Sequence, residues 1–304
     1  MNQNMPYREL GTTGEKVSII GIGGFHLGIP QDPAEAVSLV REAIDSGINF
    51  LDNSWDYHRG ESERRMGEAL KGGYRERAFV MTKVDGRTKE AARAQLEESL
   101  HRLGVDCIDL VQLHEVIRFS DVKRAFAPGG AIEAMVEARD EGLVRFIGFT
   151  GHKDPDIQLR MLDHEFAWDA VQIPLNVLDA HFRSFEKGVL PGLVERKIGV
   201  IGMKPFSAGM LFDTGTVTAI EALHYVMNLP VDVVVTGMES RADLAQALEA
   251  AASFRPLDDE EVESILARTA TKAENGAFEL YKTTRNLDST SMHPEWLESA
   301  KMMR

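Results

Sequence analysis

Residues 50–70 read Phe-Leu-Asp-Asn-Ser-Trp-Asp-Tyr-His-Arg-Gly-Glu-Ser-Glu-Arg-Arg-Met-Gly-Glu-Ala-Leu, and the rest of the chain is organised around them. Phe50 and Leu51 end a short apolar strand, and Glu61 to Leu70 carry the spacing of an amphipathic helix. Between them lies a crowded turn holding Asp52, Trp55, Asp56, Tyr57 and His58. Strand-to-helix turns are where α/β proteins place reactive side chains. Taken by itself, the turn reads more simply: Asp52 closes a strand and Tyr57 packs on the surface. Two later strand ends decide between these readings.

Outward from this stretch one unit recurs: an apolar strand, a polar turn, an amphipathic helix. Strands are expected at 19–24, 49–53, 78–84, 107–114, 144–150, 170–176, 200–206 and 232–237. Helices are expected at 33–46, 61–71, 88–103, 130–141, 154–164, 185–197, 216–228 and 240–252. The strands are continuously apolar, as strands buried on both faces must be. Right-handed crossovers joining eight parallel strands close into a (β/α)8 TIM barrel. A β-hairpin over 7–20, around Gly11-Thr-Thr-Gly14, is expected to cap its bottom. A further helix near 258–274 follows the last unit, and no linker-like stretch divides 1–304 into two domains. Residues 275–304 carry Phe278, Tyr281, Trp296 and Leu297, so a segment docked near the barrel mouth is expected rather than a free tail.

Composition bounds the partners. A formal charge of −14 over 304 residues argues against nucleic acid. No run of eighteen apolar residues supports a membrane span, and the N-terminus lacks the pattern of an export signal. Cys107 is the single cysteine, which excludes intramolecular disulfides and cysteine-only metal sites. The expectation is a cytoplasmic, metal-free enzyme acting on a small molecule.

In a barrel the chemistry projects from the C-terminal ends of strands. Those ends read Leu-Asp52, Thr-Lys83 and Leu-His114, with Tyr57 just beyond Asp52. Here the chain resembles the aldo-keto reductase family. The resemblance runs from Tyr7-Arg-Glu-Leu-Gly-Thr-Thr-Gly-Glu-Lys-Val-Ser to the helix after the eighth strand. It is most specific in Asn49-Phe-Leu-Asp-Asn-Ser-Trp-Asp-Tyr, Val80-Met-Thr-Lys-Val and Asp109-Leu-Val-Gln-Leu-His. It implies a catalytic tetrad of Asp52, Tyr57, Lys83 and His114, reducing a carbonyl by hydride transfer. Independent chemistry agrees: Tyr57 can donate the proton, and a neighbouring Lys83 ammonium should lower a phenol pKa that ordinarily lies near 10. Asp52 can hold Lys83, and His114 can orient the carbonyl oxygen.

Gly21-Ile-Gly23-Gly24 invites a dinucleotide fingerprint, but His26 stands where the third glycine belongs. The resemblance instead implies an extended nicotinamide coenzyme across the mouth. It would touch Gly24, Phe25 and His26, then Asp52, Thr150 and Gln172. Further contacts are implied at Met203, Lys204, Pro205 and Phe206, and at Gly237, Ser240, Arg241, Asp243 and Gln246. Three departures from the family pattern stand out. Thr150-Gly151-His152 replaces Ser-Asn, Met203 replaces a stacking tyrosine, and Asp243 falls where relatives place a phosphate-binding arginine. NADPH is expected, with NADH as its rival. Trp55, His58 and His114 are expected to line the substrate pocket. Two alternatives share these residues: a sugar or polyol dehydrogenase, and a nucleotide-binding redox-sensing subunit.

Overall fold

The computed structural model describes residues 5–301. β1 (Tyr7–Glu9) and β2 (Lys16–Ser18) form the antiparallel hairpin, with Tyr7 opposite Ser18. Eight parallel strands follow: β3 (Ile20–Gly23), β4 (Phe50–Asp52), β5 (Phe79–Val84), β6 (Ile108–Leu113), β7 (Val144–Thr150), β8 (Ala170–Pro174), β9 (Gly199–Met203) and β10 (Val233–Gly237). They pair in chain order, and β10 closes onto β3 with Gly237 beside Gly23. The expected barrel is therefore closed.

Alternation along the strands builds its interior in layers. Phe50, Phe79, Met81, Leu110, Ala170, Ile201 and Val233 form a lower apolar cluster, into which the hairpin inserts Leu10 and Val17. The alternating residues, such as Leu51, Val80 and Val111, pack outward against the helices. Two positions above the lower layer the same strand faces carry Asp52, Lys83, Gln112, Gln172 and Met203. The period of two that buries the core thus also delivers polar groups to the mouth. Gly11 seals the bottom: its φ is +52°, and a Cβ there would lie 2.4 Å from the Gly199 nitrogen. Its N–H donates to Asp232 at 3.0 Å.

The helices fall where expected, with two differences. The segment expected at 185–197 is divided into Phe185–Gly188 and Leu190–Glu195. Pro191 has no N–H and suits only a first turn, so the helix restarts there. An additional helix, Phe119–Ala125, lies in the loop after β6, where Asp121 accepts from the Ile117 and Arg118 nitrogens at 3.1 and 3.0 Å. After helix Asp259–Ala273 the chain continues through short turns Leu280–Thr283, Ser289–Met292 and Pro294–Leu297. Tyr281, Trp296 and Leu297 are buried there. Residues 302–304 lie outside the described part. Among the described residues no helix is long and apolar enough to cross a membrane.

Candidate active site

β4 and β5 are adjacent, so Asp52 and Lys83 meet inside the mouth, both buried. The Lys83 ammonium has three protons to give, and all three find acceptors. One goes to the Asp52 carboxylate, one to the Asn53 carbonyl at 2.7 Å and one to the Tyr57 hydroxyl at 3.2 Å. Tyr57 reaches this position because the chain reverses sharply beyond it. His58, Arg59 and Gly60 have φ of +50°, +57° and +82° before helix Glu61–Leu70 begins. The phenol ring folds back over the ammonium, 4.8 Å from its centroid, and meets the His114 ring edge-on at 5.8 Å.

One expectation fails at this point. The phenol of Tyr57 is not lowered but held well above its ordinary pKa. Burial is the main cause, followed by the carboxylates of Asp52, Asp56, Glu115 and Asp85. Lys83 cannot reverse this because Asp52 sits directly against it.

His114 stands among acids. Its Nδ1 lies 3.0 Å from Asp85 Oδ1, 3.2 Å from Ser54 Oγ and 3.4 Å from Asp56 Oδ1. Burial alone would lower its pKa, but the two carboxylates outweigh it and raise it to about 10. Asp56, bonded to His114 and Ser54, is lowered to about 2 despite its burial. Asp85 is pushed up by burial and by Asp56 beside it.

The model of the Aldo/keto reductase family matches residues 19–221. L-galactose dehydrogenase of Arabidopsis thaliana is 33% identical over 227 residues, covering 68% of this chain and 67% of that protein. The chain belongs to the aldo/keto reductase family. An uncharacterised oxidoreductase of Bacillus subtilis is 25% identical over 300 residues, 94% of this chain and 92% of the relative. A putative aldo-keto reductase structure from Pseudomonas aeruginosa superposes with a TM-score of 0.67 at 27% identity, covering 83% of this chain and 96% of that one. The holo form of a Bacillus halodurans aldo-keto reductase shares the fold, with a TM-score of 0.73 over 87% and 96% of the chains at 24% identity.

Aldo/keto reductases use a nicotinamide coenzyme, and the upper layer fits its carboxamide. Gln172 is buried and donates to Asp52 Oδ2 at 3.0 Å, but its Oε1 has no partner among the described residues. Its register neighbour Thr150 has a hydroxyl whose only hydrogen-bond partner among the described residues is Met203 Sδ at 4.0 Å. An orphaned buried acceptor beside a weakly engaged hydroxyl is the complement of an amide. Met203 ends β9, and Lys204, with φ +56°, leads into Pro205 and Phe206. The Lys204 ammonium lies 5.4 Å from the Tyr281 ring centroid, and burial lowers its pKa.

At the β3–β10 edge of this aldo/keto reductase the expected coenzyme residues are differently engaged. His26 Nδ1 contacts Glu239 Oε1 at 2.6 Å, and its ring fills the space a side chain at Gly237 would need. A Cβ on Gly24 would meet the Asp52 carbonyl at 2.3 Å, so this turn approaches the site closely. Arg241 turns away to Glu42 and Ser38, at 2.9 and 3.0 Å. Asp243 caps its own helix, accepting from the Glu239 and Ser240 nitrogens at 3.0 and 2.9 Å. Gln246 is exposed.

One other expectation resolves against the pocket. Trp55, expected to line the substrate site, has no exposed surface; its indole N–H donates to Glu98 at 2.8 Å and its ring packs on Trp296. His152, which stands where relatives carry the amide, has its Nε2 bonded to Asp288 at 2.9 Å. His58 does sit at the rim, its ring tilted at 44° against exposed Phe25 with 4.7 Å between centroids. Sequence reading missed Ser54 and Asp85 as parts of the site, and took Glu115 only as a loop residue that could line the pocket. Asp85 was findable: it stands two residues beyond Lys83, just past the end of a strand already singled out. Glu115 accepts from the Ser289 and Thr290 nitrogens, at 2.9 and 2.8 Å, and so ties the C-terminal segment to the mouth. That pairing spans 174 residues and left no local signal.

Proposed function

We propose that this aldo/keto reductase reduces an aldehyde or ketone to an alcohol with a nicotinamide coenzyme, Tyr57 donating the proton. The observation that carries this reading is the Lys83 ammonium, fixed on Asp52 and in contact with the Tyr57 hydroxyl at the mouth of the barrel. When bound, the dihydronicotinamide supplies hydride to the carbonyl carbon. The oxygen gains negative charge as that bond forms, and Tyr57 Oη delivers its proton there. The phenolate left behind sits against Lys83, whose three contacts keep it from swinging away. His114, with Nδ1 turned to Asp85, has Nε2 available for the same oxygen. Gln172 Oε1 and the Thr150 hydroxyl would hold the carboxamide, with Met203 against the ring face.

NADPH was the coenzyme expected from the resemblance. The engagement of Asp243 and Arg241 favours NADH instead, because the helix N-terminus that would meet a 2′-phosphate already carries a carboxylate. The relative named L-galactose dehydrogenase supports a second reading, oxidation of a sugar in the reverse direction. The same four side chains serve both directions by microscopic reversibility. Coenzyme absorbance at 340 nm, followed with a panel of aldehydes, ketones and aldoses with each coenzyme, tests the proposal. Turnover of carbonyls that Tyr57→Phe abolishes supports it; no turnover with any of them in either direction removes it.

A further inference from the structure

The acids around His114 are more than the tetrad chemistry requires. β6 ends at Leu113, and the His114 N–H donates to the Val84 carbonyl at 2.8 Å, which fixes the histidine backbone against β5. The next residue of that neighbouring strand end is Asp85, fully buried. Its backbone is clamped in turn: the Asp85 and Gly86 nitrogens both donate to Gln95 Oε1, at 2.8 and 2.7 Å. Asp85 Oδ1 reaches His114 Nδ1, and Oδ2 has no partner among the described residues. Asp56 approaches the same nitrogen from the turn after β4, oriented by a 2.6 Å bond from Ser54 Oγ. The opposite ring nitrogen, Nε2, has no hydrogen-bond partner within the described residues.

A neutral imidazole protonated at Nε2 would put a lone pair against two carboxylates at Nδ1. A neutral imidazole protonated at Nδ1 would leave Nε2 as an acceptor, unable to donate to a carbonyl oxygen. With both carboxylates ionised, only the doubly protonated ring satisfies both sides.

We propose that Asp85 and Asp56 are positioning residues that hold His114 as an imidazolium, its Nδ1–H locked between them and its Nε2–H presented to the carbonyl oxygen as a charged donor. This rests on the carbonyl-reduction reading above and assigns the charged hydrogen-bond donor at the reacting oxygen. The Lys83 protons are committed to Asp52, the Asn53 carbonyl and the Tyr57 hydroxyl, so none is left for a developing alkoxide. The His114 Nε2–H is uncommitted among the described residues. His114 keeps its proton throughout: hydride adds to carbon, the Tyr57 proton moves to oxygen, and Nε2–H donates to the oxygen as its charge develops. The charged and titratable groups that face His114 are Asp56 and Tyr57 from the turn after β4, Asp85 and Arg87 from the turn after β5, and its neighbour Glu115. Arg87 reinforces the arrangement by donating to the His114 and Glu115 carbonyls at 2.6 and 2.9 Å. Its charge is faced by Asp121, 3.6 Å from Nε. The pKa near 10 at His114 accords with this geometry.

The three side chains also offer ligand atoms within 4.8 Å of one another, an arrangement that could hold a metal ion. A metal would take Nδ1 as a lone pair and so excludes the imidazolium. The experiment therefore reads the proton directly. Long-range ¹H–¹⁵N spectra of ¹⁵N-histidine-labelled protein without coenzyme separate imidazolium from either neutral tautomer, and His114→Gln assigns the resonance. In the wild type both His114 nitrogens should remain protonated at pH 8. In Asp85→Asn, and separately in Asp56→Asn, the titration should move down by at least one pH unit. In turnover, Asp85→Asn should lose at least tenfold in kcat, with the alkaline limb of the pH–rate profile moved down and coenzyme Kd unchanged. A neutral His114 at pH 8 in the wild type overturns the proposal, as does stoichiometric binding of Zn²⁺ or Mn²⁺ that His114→Gln abolishes. The wild-type spectrum decides even if a variant does not fold. Because it is recorded without coenzyme or substrate, it stands apart from the reaction assay: an imidazolium in a protein that reduces no carbonyl would remove the reaction and leave the charge assignment standing.

Discussion

At the β4–β6 side of the mouth, Asp52, Lys83, Asp85 and His114 are buried and each charge is matched by name; at the β3–β10 side, His26, Glu239 and Arg241 are paired on the surface. The Arg241 side chain is 67% exposed and its partner Glu42 is 47% exposed. The same residue types therefore carry different energies. Buried pairs interact in a medium of low polarity and cannot lose a partner cheaply. Exposed pairs are screened by water and salt, and are worth about 0–1 kcal/mol. The buried side is a fixed charge pattern suited to chemistry. The exposed side can rearrange at little cost around whatever it meets.

The sharpest test of the buried side is to remove its proton donor. Tyr57→Phe keeps the ring over Lys83 and deletes one oxygen. We expect turnover to fall about 10²–10⁴-fold, the usual contribution of a general acid, with coenzyme affinity unchanged in a fluorescence titration. Near-normal turnover would take Tyr57 out of the mechanism.

The second test asks whether burial confers the same rigidity on the segment that covers the mouth. Lys282 is fully buried, donating to Asp179 and Glu279 at 2.6 and 2.8 Å and to the Phe182 carbonyl at 2.7 Å. Lys282→Met leaves two buried carboxylates facing one another. Denaturant unfolding should show a loss of about 3–5 kcal/mol, the cost of stranding a buried charge. A loss below 1 kcal/mol would place this cluster in the exposed class. The comparison would then not extend to the C-terminal cover.

A smaller effect is expected where the coenzyme meets the upper layer. Gln172→Leu removes both the bond to Asp52 and the free Oε1. Coenzyme binding should weaken by about 1–3 kcal/mol, equally for NADH and NADPH, since the carboxamide is common to both. Isothermal titration with each coenzyme checks this, and an unchanged Kd would mean that Gln172 serves Asp52 alone.

The contrast between the two sides also explains what could be read from the chain. Asp52, Lys83 and His114 were legible because a strand's alternation and its end fix where a side chain points. Tyr57 was legible because it follows such an end within five residues. Asp85 obeyed the same rule and was passed over, since an acid after a strand is ordinary until its distance to His114 is known. The direction of the Tyr57 shift depended on burial first and then on Asp52, Asp56, Glu115 and Asp85, and no spacing in the sequence gives four carboxylates around one phenol. The split helix at 185–195 was foreshadowed by Pro191, whereas Glu115 holding Ser289 depends on the return path of the C-terminal segment. Long-range contacts of that kind follow from the folded topology alone.

The smallest expected effect lies at the exposed side, at Arg241. Its guanidinium leaves Glu42 and Ser38 at a cost of about 1 kcal/mol or less, so it could in principle turn to a 2′-phosphate. The groups it would join oppose that ligand. Glu239 is held by His26, and Asp243 already accepts the Glu239 and Ser240 N–H groups and the Ser240 hydroxyl, at 3.0, 2.9 and 2.9 Å. Those N–H donors are what a helix N-terminus would otherwise offer an anion. A 2′-phosphate arriving there meets two carboxylates and one guanidinium on a long, mobile stem. Arg241→Ala should therefore change NADH and NADPH affinity alike, and by less than about 1 kcal/mol. Asp243→Asn keeps a cap acceptor while removing a charge, and should strengthen NADPH selectively, a gain that fades as salt is raised. A tenfold or larger loss of NADPH affinity alone on Arg241→Ala would break the comparison at this end: it would mean that an exposed pair had been holding a guanidinium in reserve for the phosphate.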